Sequence, residues 1–260
     1  MNESPAKYFK RYRESIGFTN QNDAKIFLSG KDVPAGVDYE YIDNLNQRLK
    51  EISSKVSAIG NKSINIKNID DFVRKNILHP FETIKSSGLL PRLNNQGRRP
   101  EQVLFSWLRG YVVAELFTPA IAGIFEVSIT SINQIGDDDL RDIDTFRRSP
   151  KADLEITKDN QRVRIEVQSG FQGINDIKEH KVREARRVFE ETGEHSICIH
   201  IDLFNGQVAF VQLDSIEDDD VNFVTRQPME GQSVFAIDQN YFKWRLLDPA
   251  PCFSDLELSI

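Results

Sequence analysis

Two carboxylates and an amide, Asp153, Glu166 and Gln168, have the types and spacing of side chains that could bind a cation. Residues 153–156 and 163–168 alternate between polar and apolar types, which is the pattern of two half-buried strands. The three side chains all fall on the polar positions of these strands. Oxygen donors of this kind suit Mg²⁺, which binds one or two carboxylates and keeps several waters.

The residues between the two strands determine how the strands pair. Asp159 and Asn160 both tolerate the left-handed backbone conformation that a two-residue type I′ turn requires. This turn places Asp153 directly opposite Glu166, with Cβ atoms about 5 Å apart. Two carboxylates this close repel each other unless one is protonated or a cation lies between them. The sequence therefore predicts a cation site, and the alternative is a solvated hairpin whose acids face water.

Together with Pro150, these three residues resemble the signature of the PD-(D/E)XK nuclease superfamily, in the form in which glutamine replaces the usual lysine, as in some type II restriction endonucleases. Asp153 is the third residue after Pro150 rather than the next, and Gln168 stands where lysine is the common residue. The resemblance covers about residues 101–213. It implies a mixed α/β fold, in which a restriction-endonuclease-like core has a central mixed β-sheet flanked by helices, with an N-terminal helical region in addition.

The resemblance also implies roles for the site residues. Asp153 and Glu166 would bind Mg²⁺ together with the backbone carbonyl of Val167, and Mn²⁺ would substitute. Gln168 cannot carry the charge of lysine and would orient the attacking water or ligate the metal. Such ions activate the water and stabilise the charge on the phosphate and the leaving oxygen.

A further acid comes from a helix predicted over residues 100–117. Leu104 and Leu108 mark its apolar stripe, and Glu115 continues that stripe, so Glu115 should face the interior or a cleft. A buried carboxylate needs a partner. In the resembled superfamily a helix before the first core strand often adds an acid to the metal site, which makes Glu115 a candidate catalytic residue. A structural salt bridge is the alternative.

Amide and basic side chains that could contact double-stranded DNA occur in three places: a polar loop before that helix, a pair of arginines before the first site strand, and a basic helix predicted over residues 175–192. Such side chains bind base edges and phosphates. The candidates are Asn94, Asn95, Gln96, Arg98, Arg99, Arg147, Arg148, Lys178 and Lys181. Either lysine could instead replace the missing site lysine, or the helix could simply cover the sheet.

The chain of 260 residues is expected to have three parts. Residues 1–98 form a mainly helical region for DNA contact or dimerisation, residues 99–213 form the nuclease core, and residues 214–260 form a β and loop extension packed on the core. The net charge of −7 lies largely in this extension, which carries 3 basic and 10 acidic residues. The concentration of acid near the C-terminus leaves the rest of the chain compatible with a nucleic-acid partner.

Several elements outside the hairpin follow from the apolar pattern. Residues 69–87 are predicted to form two short helices broken at His79–Pro80, because a residue before proline disfavours the helical region. Residues 120–135 form a strand-like apolar run. Strands are also predicted over 196–203 and 207–213, and mainly β structure over 223–247.

No apolar stretch of about 18 residues occurs, and the first ten residues are too polar for a signal peptide, so a cytoplasmic protein without a membrane partner is expected. Cys198 and Cys252 have no zinc-type spacing and are expected to be free thiols. The sequence predicts a Mg²⁺-dependent type II restriction endonuclease acting on double-stranded DNA, as a homodimer or a monomer. The alternatives are a repair or recombination nuclease of the same superfamily and a non-catalytic DNA-binding protein with a degenerate site.

Overall fold

A computed structural model describes residues 4–30, 32–59, 62–93, 98–135, 152–217, 221–226 and 231–260. The α-helices in these ranges are α1 (Pro5–Ser15), α2 (Gln21–Leu28), α3 (Tyr39–Ser57), α4 (Ile69–Val73), α5 (His79–Ser86), α6 (Pro100–Ile124) and α7 (Glu179–Thr192). The strands are β1 (Asn133–Gln134), β2 (Leu154–Lys158), β3 (Gln161–Gly170), β4 (Asp176–Lys178), β5 (His195–Asp202), β6 (Gln207–Gln212), β7 (Val224–Arg226), β8 (Gln232–Ala236) and β9 (Phe242–Arg245).

The central sheet has six strands in the order β1-β2-β3-β5-β6-β9. β3 and β5 are parallel, whereas the other neighbouring pairs are antiparallel. A parallel pair needs a crossover connection, and β4 and α7 supply it between β3 and β5. The fold is therefore mixed α/β with a central mixed sheet flanked by helices, as the sequence predicted at this coarser level.

Helices α6 and α7 cover opposite faces of the sheet. Ile165 and Ile199 point to one face, where they pack with Phe117 of α6 in the largest core cluster. Cys198 points to the other face and packs in a second cluster with Val182 of α7. This division matters for the site, because residues that alternate along β3 face different helices.

Helix α6 is longer than predicted. It has 25 residues, includes Pro119, and takes in the start of the segment predicted to be strand-like. The strand prediction is wrong for residues 120–124, and strand structure in 120–135 is confined to β1. Ala120, Ile121 and Ile124 are all buried, and a short apolar run of this kind does not distinguish a buried helix from a strand.

The predicted break at His79–Pro80 is also wrong. A π-helical turn, Arg74–Leu78, joins α4 to α5, and His79 has helical backbone angles (φ −63°, ψ −47°). Proline lacks a donor and clashes with the carbonyl of the preceding turn in a regular α-helix. The wider π-helical turn directly before Pro80 changes that geometry and lets the helical path continue.

The segment predicted as a helix over residues 175–192 begins as a strand. Asp176–Lys178 forms β4, which pairs with β8 in a separate three-stranded sheet ordered β4-β8-β7. This pairing is a long-range contact that local periodicity does not reveal. The predicted strands near 196–203 and 207–213 and the β structure within 223–247 are confirmed as β5 to β9. Within the described ranges, no helix combines the length and the apolar character needed to cross a membrane.

Candidate functional site

The β2–β3 hairpin has the predicted register. Lys158 lies opposite Gln161, and Leu154 lies opposite Ile165. The two turn residues between the strands have left-handed backbones, with φ of 48° at position 159 and 67° at position 160. These angles are those of the type I′ turn that fits the right-handed twist of a hairpin.

Asp153 departs from regular pairing and turns toward β3. Its backbone N–H donates to the carbonyl of Ile165 at 3.1 Å. In the regular pairing of the two strands, the residue opposite Ile165 is Leu154. Its carboxylate Oδ2 accepts a hydrogen bond from the backbone N–H of Val167 at 2.7 Å. The N–H and C=O of one strand residue point to the same side. The carbonyl of Val167 therefore faces the edge of β3 on which Asp153 lies.

Glu166 points to the face covered by α7. Its carboxylate Oε2 lies 2.8 Å from the ammonium of Lys181, and both side chains are about one-fifth exposed, at 18% and 20%. Lys181 is one of the two lysines that the sequence offered as a replacement for the missing site lysine. The structure brings Lys181 to Glu166 in an ion pair.

A buried thiol lies close to both carboxylates. Cys198 lies beside Glu166 in the parallel register of β3 and β5 and is a free, buried cysteine. Burial raises the pKa of its thiol well above the usual value, and the negative charges of Glu166 and Asp153 raise this pKa further. Both carboxylates are therefore close enough to Cys198 to act on it electrostatically.

Gln168 is held at both ends of its amide. Its Nε2 donates to the backbone carbonyl of Asp176 at 2.8 Å. Its Oε1 accepts from the thiol of Cys198, with 3.7 Å between sulfur and oxygen. The side chain thus ties β3 to β4, the strand that leads directly into α7.

Glu115 approaches the sheet from the opposite face. Its Oε1 accepts from Nε2 of Gln134 at 2.6 Å. Gln134 is paired with Leu154, whose side chain lies in the core beneath α6. Burial raises the pKa of Glu115, although the charge of Lys75 and the hydrogen bond partly offset this effect. The structure places Glu115 with an amide partner on the α6 side, whereas Glu166 lies on the α7 side.

The DNA-contact candidates are distributed unevenly. Asn94, Asn95, Gln96, Arg147 and Arg148 lie outside the described residues. Arg99 precedes α6 and is engaged by protein groups, since its guanidinium lies 3.0 Å from the buried carboxylate of Glu101. Arg98 also has protein partners, and Lys178 is the residue that precedes α7. Lys181 lies beside a predicted metal ligand, because it pairs with Glu166.

A positively charged side chain near the end of β3 was not predicted from the sequence. The guanidinium of Arg109, on α6, lies 3.7 Å from the ring centroid of Phe171, which directly follows β3, and 5.2 Å from that of Phe105. Burial lowers the pKa of Arg109 from its ordinary value. The sequence around Arg109 did not predict this contact, because the stacking on Phe171 depends on where β3 ends.

A polar network at the end of β5 was missed as well. The buried carboxylate of Asp202 accepts from the side-chain amides of Asn205 at 2.7 Å and Asn175 at 3.0 Å. The Oδ1 of Asn175 lies 2.8 Å from Nε2 of His200. Burial would raise the pKa of Asp202, but these hydrogen bonds outweigh it and lower the pKa. The network fixes the loops that follow β3 and β5.

Comparison with known proteins does not assign the chain to a family. No protein-family model matches the sequence, and no curated protein is significantly similar to it. The arrangement of its own side chains is therefore what supports a function.

The donor atoms at the hairpin fit a hard cation. Among the described residues, no group of three or more His, Cys, Asp or Glu side chains could hold a metal ion. Two carboxylates and the carbonyl of Val167 remain, and all of these donors are oxygens. This set suits Mg²⁺, which keeps several waters, better than it suits zinc, which prefers a closed shell of nitrogen and sulfur.

Proposed function

We propose that the protein is a Mg²⁺-dependent, sequence-specific endonuclease of double-stranded DNA, of the type II restriction class, with a restriction-endonuclease-like core. The observation that carries the proposal is the pairing geometry of the hairpin. It brings Asp153 to the backbone of Val167, beside Glu166, at the point where β3 extends beyond β2.

Asp153 and Glu166 are the proposed metal ligands, with the carbonyl of Val167. Each carboxylate has two oxygens, so a hydrogen bond to one does not prevent coordination through the other. When bound, Mg²⁺, or Mn²⁺ in its place, would polarise the scissile phosphate and activate the attacking water. The hydrogen bond from Val167 to Asp153 holds that carboxylate at the strand edge before any ion arrives.

Lys181 supplies the positive charge that glutamine at position 168 does not. Its ammonium at Glu166 is placed to stabilise negative charge that builds up on the phosphate during cleavage. Gln168 is a positioning residue. Its hydrogen bond joins β3 to β4 and so fixes the start of the helix that carries Lys181. We expect phosphate contacts from Arg147 and Arg148, which precede the site strand in the sequence, and from Arg109.

A second candidate is a DNA-binding protein without catalysis. The ion pair between Lys181 and Glu166 favours this second candidate, because an ion pair can also serve only to stabilise the fold. A repair or recombination nuclease would use the same site chemistry on a different DNA substrate. Metal-dependent cleavage separates the catalytic candidates from the binding protein, and the fragment pattern separates the two nucleases.

The test is digestion of phage and plasmid DNA in Mg²⁺, with EDTA as the metal-free control. Asp153→Asn keeps an oxygen that can accept from Val167, so the variant should fold and bind DNA but lose cleavage. Glu155→Gln is the matched control, because Glu155 is a carboxylate on the same strand outside the proposed ligand set. Discrete fragments lost in Asp153→Asn and retained in Glu155→Gln support the restriction enzyme. Unchanged cleavage by Asp153→Asn would refute the site, and no cleavage of any DNA by folded wild type would favour the binding protein.

A further inference from the structure

We propose that α1 is an exchange arm that docks into a groove near the C-terminus of a second copy of this chain. The inference rests on an uncovered helix, an open groove and their charges. It does not depend on the proposed nuclease activity.

Helix α1 has an apolar face that the described residues of the chain leave uncovered. Tyr8, Phe9, Tyr12 and Ile16 fall within one arc of the helix or its C-cap, and their exposed fractions are 50%, 53%, 53% and 39%. None of the residues of α1 is buried. Apolar anchors at positions i, i+4 and i+8 are typical of a helix that binds in a groove.

The connection to the rest of the chain allows α1 to reach another molecule. α1 packs with α2, and the rings of Phe18 and Phe27 lie 5.3 Å apart. Between α2 and α3 the described residues of 29–38 form no helix or strand. The backbone N–H groups of Ala35 and Asp38 are bonded to Pro91 and Glu101, so the free part of this connection is residues 29–34. Six residues can span roughly 20 Å when extended. The two N-terminal helices can therefore act as an arm, as in domain exchange.

An open groove lies at the outer edge of the central sheet. β9 pairs only with residues 207–209 of β6, so the following part of β6 has no strand beside it in the described sheet. A cavity of about 670 Å³ opens there, between β6, β8 and the C-terminal residues. Its apolar lining includes the partly exposed side chains of Val221, Tyr241 and Leu258. This volume is in the range of cavities that accept several side chains of a ligand.

The charges of the arm and the groove are opposite. α1 carries four Lys or Arg residues and one Glu, whereas residues 214–260 carry 3 basic and 10 acidic residues. Asp238 and Glu257 line the groove, and the one Lys or Arg among its described lining residues, Lys243, lies 2.6 Å from Glu257. An α1 helix is thus attracted to the groove, while two α1 helices placed together repel each other.

The available area is sufficient for a dimer. Four large side chains at about half exposure present on the order of 400 Å². The groove exposes less surface than the arm, so a twofold exchange that buries two arms and two grooves gives on the order of 1,200 Å². That is the lower end of the range for a standard stable interface.

Sedimentation of the full chain tests the exchange. Wild type should form dimers, and Tyr8→Ser with Tyr12→Ser should weaken the dimer by at least about 100-fold, as expected for the loss of central aromatic anchors. Asn222→Trp, at an exposed position that lines the groove, should have the same effect. The matched control is Phe204→Ser with Leu247→Ser, which removes apolar side chains that are even more exposed and lie elsewhere, and it should leave the dimer intact.

Mixing the two defective proteins gives the decisive result. The arm variant retains its groove, and the groove variant retains its arm, so together they should form a mixed dimer through one intact contact. Circular dichroism of each variant checks that it is folded. A monomeric wild type, an Asn222→Trp protein that remains dimeric, or folded variants that fail to associate on mixing would each overturn the exchange.

Discussion

The ammonium of Lys181 lies 2.8 Å from a carboxylate oxygen of Glu166, across the boundary between α7 and β3. Lys181 follows Glu166 by fifteen residues in sequence, with β4 and the start of α7 between them. The ion pair is only partly exposed, so the attraction is less screened than that of a pair on the open surface. It gives the proposed active site a positive charge that the amide of Gln168 cannot provide.

The rate of DNA cleavage should depend on where this positive charge lies. Lys181→Gln should lower the single-turnover rate of DNA cleavage by about 100-fold, since electrostatic groups at a transition state are typically worth that much. Gln168→Lys in the same background should restore part of the rate, because position 168 lies on the same face of β3 as Glu166.

Lys178→Gln is the control for this exchange, because it removes a cation three residues earlier and leaves both Lys181 and Glu166 in place. Its rate at saturating DNA should equal that of wild type. A Lys181→Gln enzyme with full activity would show that the ion pair is structural. A double variant no faster than Lys181→Gln alone would show that position 168 is too far from the phosphate.

Substitutions at Asp153 and at Lys181 should change the affinity for the metal ion in opposite directions. Asp153→Asn removes a ligand charge and should weaken Mn²⁺ binding at least tenfold. Lys181→Gln removes a like charge next to the dication and should tighten binding several-fold, even though it slows cleavage. Calorimetric titration without DNA measures both. Equal Mn²⁺ affinities for wild type and Asp153→Asn would place the cation elsewhere.

The hairpin was predictable from the sequence because everything that determines it is local. Asp159 and Asn160 select the turn, the turn sets the register, and strand alternation then assigns each side chain to a face. The position of Asp153 beside Glu166 follows from residues that lie within twenty positions of each other. The bend that directs the carboxylate of Asp153 to the N–H of Val167 did not follow, because it begins only where regular pairing stops.

The remaining site residues depend on long-range packing, which no local pattern encodes. The sequence offered Lys178 and Lys181 equally, and the ion pair of Lys181 with Glu166 depends on the path through β4, which pairs with the distant strand β8. Glu115 lies on α6 with Gln134 as its partner, and the face of the sheet that α6 covers could not be inferred from the sequence. Arg109 was missed because its partner ring, Phe171, reaches it only through the tertiary fold.

The turn itself can be tested by substitution of Asn160, whose φ of 67° is left-handed. Asn160→Val should lower the free energy of unfolding by about 1–2 kcal/mol, because a β-branched residue is strained in this conformation. Asn160→Gly should leave stability unchanged or slightly raised, since glycine adopts the conformation without a side-chain clash. Urea unfolding of the two variants measures the difference, and equal stabilities would contradict a left-handed turn.

The stability of the protein at mildly acidic pH should depend on His200, which is 1% exposed. Because the Oδ1 of Asn175 can only accept, the nitrogen 2.8 Å from it, Nε2 of His200, carries the proton. Nδ1 has no hydrogen-bond partner among the described residues. Burial lowers the pKa of His200 to about 4, and the negative charge of Asp202 offsets only part of this effect.

This lowered pKa fixes the sign of the pH effect. An unfolded histidine has a pKa of about 6.5, so below that pH the unfolded chain takes up a proton that the folded chain resists. Stability from His200 is therefore fully present above about pH 6.5 and is lost as the pH falls toward 4, with a total on the order of 3 kcal/mol. His200→Gln keeps an N–H that can donate to Asn175 but does not titrate. Urea unfolding between pH 7 and 4 should show wild type losing that amount relative to the variant, and parallel profiles would show that His200 is already solvated in the folded protein.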